Sequence, residues 1–220
     1  MIIAIDGPAG TGKSTVAKIL AKDLGYIYVD TGSMYRACAY YCVSKGIEIN
    51  EENLKAEIDN IDIEIKYVDG NQRIILNNED VTDYLRIKSV NDTTSEVATI
   101  GIVREKLVDM QREMSKSLNV IMDGRDIGTV VFPNAEVKLF LVTDIDERVK
   151  RRMLEYAEKN MKMSEEDLRS NMVKRDNIDS SRLISPLKKA EDAIEIDTTK
   201  YSAYEVVQIA KDIIKEKTGV

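Results

Sequence analysis

The chain of 220 residues is 43% hydrophobic and 32% charged, a composition that excludes a disordered polymer and suits one folded domain burying roughly 70% of its unfolded surface. Lys and Arg total 32 against 39 Asp and Glu, a net charge of -7, so the overall field repels nucleic acid and any bound anion must meet a local basic site. There is no histidine, which removes serine-histidine and cysteine-histidine nucleophile pairs and most zinc sites.

The chain opens on "IIAIDGPAGTGKST". An apolar strand leads into Gly7, four residues, then Gly12-Lys13-Ser14, and "KSTVAKILAKDLG" leads out as a helix expected to end at Gly25. With glycine at about 7% of residues, a chance match in a chain of this length is on the order of one in a hundred. Gly7, Gly10 and Gly12 let the backbone curl so that consecutive N–H groups of Gly7, Pro8, Ala9, Gly10, Thr11, Gly12, Lys13, Ser14 and Thr15 surround an anion, Pro8 being the one member without an N–H. Lys13 then reaches the β and γ phosphates of a nucleoside triphosphate such as ATP, and the Ser14 hydroxyl ligates Mg²⁺. Asp6 interrupts the opening apolar run too early for a signal peptide, and no apolar run approaches the roughly 18 residues of a membrane span. A cytoplasmic protein without membrane contact is expected.

After a second strand, "YIYV", comes "YVDTGSMYRA". Thr31 opens a helix and Arg36 lies about a turn and a half inside it, which makes a second anion site, or Asp30 or Thr31 simply caps the helix. Cys38 and Cys42 fall four apart on that helix and read as reduced structural thiols. The segment "IDIEIKYVDGNQRIIL" alternates strictly, Ile61, Ile63, Ile65 and Tyr67 against Asp62, Glu64 and Lys66, then turns at Asp69-Gly70. It reads as an antiparallel insert over roughly residues 60–86, or as a decorated edge of the main sheet.

The runs "VIM", "VKLFLV" and "AIEI" complete a set of short strands alternating with helices, so the fold class is α/β: a parallel sheet flanked by helices, with a small antiparallel β insert. Between them, "MDGRDIG" sets Arg125 between Asp123 and Asp126, as an ion pair or as charges kept for a ligand. Residues 146–177 read as charged helix, with Arg148, Arg151 and Arg152 on one face, either a solvated stripe paired with Glu155 and Glu158 or a set of phosphate ligands.

A phosphate loop alone leaves the class open. The sequence has no Asn-Lys-x-Asp guanine reader and no Leu-Ser-Gly-Gly-Gln transporter signature, which leaves a kinase for a small acceptor. "IDGPAGTGKST", "DTGSMYR", "MDGRDIGTVVFP", "VKLFL", "ERVKRR" and "SPLKKAEDAIEIDTT", in that order, resemble the bacterial cytidylate kinases from end to end. The resemblance implies one kinase domain over 1–220: a core (about 1–30, 119–145 and 184–220), a nucleoside monophosphate-binding region (about 31–118) carrying the insert, and a helical lid (about 146–183). It implies ATP and Mg²⁺ in the cradle and CMP or dCMP as acceptor; the rival reading is a related kinase for UMP or another metabolite, and a monomer is expected. On the family pattern, phosphate-binding positions fall on Thr31, Arg36, Arg125 and Arg182, sugar-side positions on Arg175 and Asp179, and base-reading positions on Ser95, Arg104 and Asp126. Asp123 is expected to orient Arg125 or the waters of Mg²⁺. Lys13, Arg125, Arg148 and Arg151 are the expected catalytic cations, the lid arginines arriving when the lid closes and Arg152 being the weakest of them. Ser33 stands where the family often has alanine and is expected to touch none of these contacts.

Overall fold

The computed structural model describes residues 1–158 and 162–219. In chain order the elements are β1 (Ile2–Asp6), α1 (Lys13–Leu24), β2 (Ile27–Asp30), α2 (Thr31–Lys45), α3 (Glu51–Glu57), β3 (Ile63–Val68), β4 (Asn71–Leu76) and β5 (Glu79–Asp80). Then follow α4 (Lys88–Val97), α5 (Gly101–Ser115), β6 (Val120–Gly124), β7 (Val137–Val142), α6 (Ile145–Glu158), α7 (Glu165–Ser181), β8 (Ile194–Asp197) and α8 (Ala203–Thr218). Two compact units result, Met1–Tyr28 with Leu118–Val220, and Val29–Ser117.

The first unit is built on a five-stranded sheet in the order β2-β6-β1-β7-β8. β1 runs parallel to both β6 and β7, and β7 parallel to β8. Central strands covered on both faces need continuous apolar runs rather than alternation, as "IIAI" and "VKLFL" supply. Ile3, Ile5, Leu20, Ile121, Leu139, Leu141 and Val207 form the core between the sheet, α1 and α8. Each such aliphatic side chain contributes roughly 1.5–3 kcal/mol on burial. Gly25 ends α1 in the left-handed region at φ +68°, and a Ser202/Glu205 capping box starts α8. α6 and α7 supply the expected helical segment, joined by a satellite core of Val149, Leu168 and Met172; residues 159–161 of the expected lid lie outside the described residues.

In the second unit α2, α4 and α5 pack around Met34, Cys38, Val90, Val97, Val103 and Leu107. The alternating segment forms a separate three-stranded antiparallel sheet, β3-β4-β5, rather than an edge of the main sheet. Its tight turn is where the sequence places it: Asp69 and Gly70 both have positive φ, 51° and 75°, as a two-residue hairpin of type I′ requires. The short β5, which pairs with Ile75 and Leu76, has no apolar pattern to announce it. Cys38 and Cys42 are free and buried, and burial pushes their thiols up to about 12 and about 11, so both are inert. Among the described residues no helix is long and apolar enough to cross a membrane.

Candidate active site

In parallel sheets, ligands bind beyond the carboxyl ends of the strands where the strand order reverses. β1 and β6 lie side by side with Asp6 opposite Gly124, so the loop after β1 and the turn after β6 emerge together at such a point. The loop needs its first glycine: Gly7 has φ +145°, and a Cβ there would stand 2.2 Å from the Leu141 carbonyl oxygen. Gly12, at φ +87°, is the residue from which α1 starts, so the loop's N–H groups are backed by the positive end of a helix. Lys13 is buried, its Nζ donating to the Pro8 carbonyl at 2.5 Å and to Thr11 Oγ1 at 3.4 Å. Burial, then the nearby Arg125 and Arg175, push the Lys13 ammonium well below its ordinary range against the opposing pull of Asp123 and Asp6. A polyanion in the loop reverses that balance and stabilises the ammonium.

Ser14 Oγ donates to Asp123 Oδ2 at 2.8 Å, and Tyr28 donates to Asp123 Oδ1 at 2.8 Å. Two hydroxyls therefore hold the Asp123 carboxylate, whose charge also acts on Arg125. The carboxylate that Arg125 hydrogen bonds is Asp179 of α7, Nε to Oδ2 at 2.8 Å, while Nη1 donates to the Gly124 carbonyl. That carboxylate lies outside "MDGRDIG", whose Asp123 and Asp126 are the ion-pair partners weighed against a ligand-reading role. Sequence proximity could not reveal it, because the pair joins residues 54 apart.

Arg182 continues the chain of charges. It is buried, with Nη2 3.4 Å from Asp126 Oδ1 and Nη1 4.0 Å from Asp179 Oδ1, and its Nε donates to the Ser185 carbonyl at 2.5 Å. Arg125, Asp179, Arg182 and Asp126 thus alternate in sign, and Arg175 adds its field to Asp179 and to Lys13. Burial pushes the Asp179 carboxyl up, but Arg125, Arg175 and Arg182 outweigh it and hold the group below its usual 3.8. A carboxyl depressed in the folded state contributes stability that is present above the unfolded pKa and is lost as pH falls through the folded one. Urea unfolding from pH 6 to pH 2 should therefore show a steeper loss of stability below about pH 4 in the native chain than in Asp179→Asn. Equal slopes would rule out the pairing.

Of the lid arginines, Arg148 is buried and already lies on the phosphate loop: its Nη1 donates to the Ala9 carbonyl at 3.0 Å and to Asp176 Oδ2 at 2.5 Å. In this structure Arg148 thus already touches the loop. Arg151 donates to Glu147 at 3.0 Å, to Thr198 Oγ1 at 3.2 Å and to the Thr198 carbonyl at 2.7 Å, while Thr198 Oγ1 donates to the Thr11 carbonyl. Arg152 pairs with Glu155 and covers Tyr156, as a solvated stripe would. Sequence reasoning misses Asp176 and Thr198. Asp176 is one of many charged residues on its helix, and Thr198, although it closes the run "SPLKKAEDAIEIDTT", has no spacing that ties it to the phosphate loop.

The second unit holds Thr31, Arg36, Ser95 and Arg104. Asp30 is the N-cap of α2, accepting from Ser33 N at 3.1 Å and from Ser33 Oγ at 2.7 Å. The same carboxylate lies 3.6 Å from both Arg36 Nη1 and Arg86 Nη2. Burial opposes its charge, but Arg36, Ser33 and Arg86 hold Asp30 below its ordinary pKa. Ser33 thus bonds Asp30, the carboxylate that also lies beside Arg36. Thr31 and Ser95 are buried. Arg104 is buried rather than a surface residue, donating to the Ala98 carbonyl at 3.1 Å with its guanidinium carbon 5.3 Å from the centre of the Tyr35 ring.

The doubly flanked parallel sheet and the glycine loop leading into α1 define a P-loop nucleotide-binding protein. A solved gluconokinase from Sinorhizobium meliloti 1021 shares the fold with a TM-score of 0.52 at 12% identity, covering 99% of this chain and 93% of that one. The family model for cytidylate kinase matches residues 3–216. A cytidylate kinase of Lactobacillus gasseri is 48% identical over 220 residues, covering 99% of this chain and 95% of its own. One from Geobacillus sp. strain WCH70 is 48% identical over 218 residues, covering 99% and 97%. The chain belongs to the cytidylate kinase family.

Proposed function

We propose that this protein transfers the γ-phosphoryl group of ATP to CMP or dCMP, giving CDP or dCDP and ADP. The observation that carries the reading is the buried Asp126 carboxylate, set beside Arg125 at the end of β6 and facing Arg182. Cytosine offers an N4 amino donor, for which a carboxylate is the natural acceptor, and uracil presents an oxygen at the same place.

The acceptor nucleophile is a phosphate oxygen that is already anionic, so no general base is required, in keeping with a chain without histidine. The difficulty is to bring two anions in line and to hold the charge of the transferring group. Lys13 and the loop N–H groups serve the donor. Arg125 and Arg182 serve the acceptor phosphate, exchanging their bonds to Asp179 and Asp126 for phosphate oxygens. The carboxylate pairs hold both guanidinium groups at the site beforehand, and the phosphate replaces the carboxylates as their anionic partner. Arg175 and Asp179 are assigned to the sugar, Arg148 and Arg151 to the donor phosphates, and Thr31, Arg36, Ser95 and Arg104 of the second unit to the acceptor's phosphate and base. Residues 146–183 serve as the lid that excludes water, and residues 31–118 as the monophosphate-binding region.

Mg²⁺ fits the hard oxygen set at the loop: the Ser14 hydroxyl and the Asp123 carboxylate lie 2.8 Å apart beside the phosphate cradle. The described residues contain no cluster of three or more metal-binding side chains, which suits an ion that keeps several waters and takes its other ligands from phosphate. When bound, it neutralises phosphate charge during transfer.

A coupled assay with ATP, Mg²⁺ and a panel of CMP, dCMP, UMP, AMP and dTMP tests the reading. CMP and dCMP are expected to give the highest kcat/KM. Preference for another acceptor, or ATP binding with no turnover on any of them, would refute it.

A further inference from the structure

Asp6 closes β1 immediately before the phosphate loop, yet its buried carboxylate is turned toward the other side of the site. Oδ1 accepts from the Ile127 N–H at 2.9 Å and Oδ2 from the Gly128 N–H at 2.7 Å. These are the first two N–H groups of the π-helical turn Ile127–Val131, for which Asp126 is the N-cap residue. An aspartate at an N-cap ordinarily spends its own carboxylate on the second or third N–H of the turn, which here belong to Gly128 and Thr129. Here the Asp126 side chain makes no cap bond, and its main-chain carbonyl accepts from Val130 and Val131.

The Asp6 clamp is tightly built. A Cβ on Gly128 would come within 3.1 Å of Lys138 Cδ and 3.4 Å of Asp6 Oδ2. Burial pushes the Asp6 carboxyl up to about 6, with Asp126 adding to the rise and the two amide bonds and Lys13 opposing it.

We propose that Asp6 is a positioning residue for recognition of the acceptor base: by taking the Gly128 N–H, a donor that Asp126 would otherwise cap, and fixing the turn through the Ile127 N–H, it turns the Asp126 carboxylate toward Arg182 and the ligand. The inference rests on the proposed reading of CMP as acceptor. It separates two tasks that one aspartate usually combines. The capping is done from β1, 121 residues before Ile127 in the chain, and the reading is done from the turn itself.

The test is Asp6→Asn, which keeps one acceptor oxygen but turns an amide N–H toward the second donor. The Asp126 side chain is then drawn back toward its own turn. The ratio of kcat/KM for CMP over UMP is expected to fall about tenfold, roughly the worth of one hydrogen bond, while KM for ATP stays within about twofold. An unchanged ratio, or a KM for ATP that moves as far as that for CMP, would show that Asp6 serves the phosphate loop and overturn the proposal. A second measurement does not depend on the variant folding: in the native protein the Ile127 and Gly128 amide resonances should titrate together as one neighbouring carboxyl ionises. Their failure to respond would likewise overturn it. If the native protein phosphorylates neither CMP nor UMP, the proposed function fails and takes the specificity claim with it, while the amide titration still reports whether the clamp exists.

Discussion

Replacing Lys13 with alanine is expected to lower kcat for phosphoryl transfer by about 10²–10³-fold, the scale of losing one preorganised charge stabiliser, while CMP affinity by calorimetry stays unchanged. The ammonium lies between the Pro8 carbonyl and Thr11 Oγ1 at the floor of the loop, so its removal is expected to act first on the proposed donor-phosphate side. The Thr11 Oγ1 bond to Pro8 persists in the variant and continues to shape the loop. Burial also disfavours the charged form of Lys13, so its loss does not remove a large folding contribution. Turnover within tenfold of the native rate would reject the assignment of Lys13 to the transferred phosphate.

Exchanging Asp126 for asparagine should weaken discrimination between CMP and UMP by roughly 1–3 kcal/mol, about fivefold to 150-fold in relative kcat/KM. Asparagine still offers one oxygen to the cytosine amino group, but its own amide can donate to the uracil oxygen that a carboxylate repels. The structure adds a second effect. Asp126 Oδ1 faces Arg182 Nη2, so neutralising it leaves Arg182 more strongly committed to Asp179 and the Ser185 carbonyl. Catalysis with CMP is therefore expected to fall as well, with UMP less affected. Competition between the two nucleotides in one assay measures the ratio directly, and an unchanged ratio would exclude Asp126 as the base reader. Asp6→Asn is expected to produce a weaker version of the same change, since it misdirects the carboxylate without removing it.

Elements with short-range causes are legible in the amino-acid sequence. "IIAI" and "VKLFLV" are too uniformly apolar for a half-exposed strand, and the alternation around Asp69-Gly70 is too regular for a helix. The glycine loop is equally plain, because its pattern encodes the backbone curl and the lysine within a short run of consecutive residues. The site's internal pairing is not. Local reading of "MDGRDIG" offers Asp123 and Asp126 as partners for Arg125, while the hydrogen bond goes to Asp179. A solvated stripe describes Arg152 and fails for Arg148, although the two are four residues apart on one helix.

By itself the sequence determined the parallel sheet with its antiparallel insert, the phosphate cradle and the family, because periodicity, turn chemistry and the loop motif each depend on residues a few positions apart. The tertiary structure alone decided which charge meets which: Asp179 with Arg125, Asp176 with Arg148, Asp6 with the turn beyond Asp126. Charged side chains of one sign are interchangeable in a sequence pattern. Only when β1, β6 and α7 are packed does burial make each pairing selective, since a charge removed from water must be matched by the particular partner within reach.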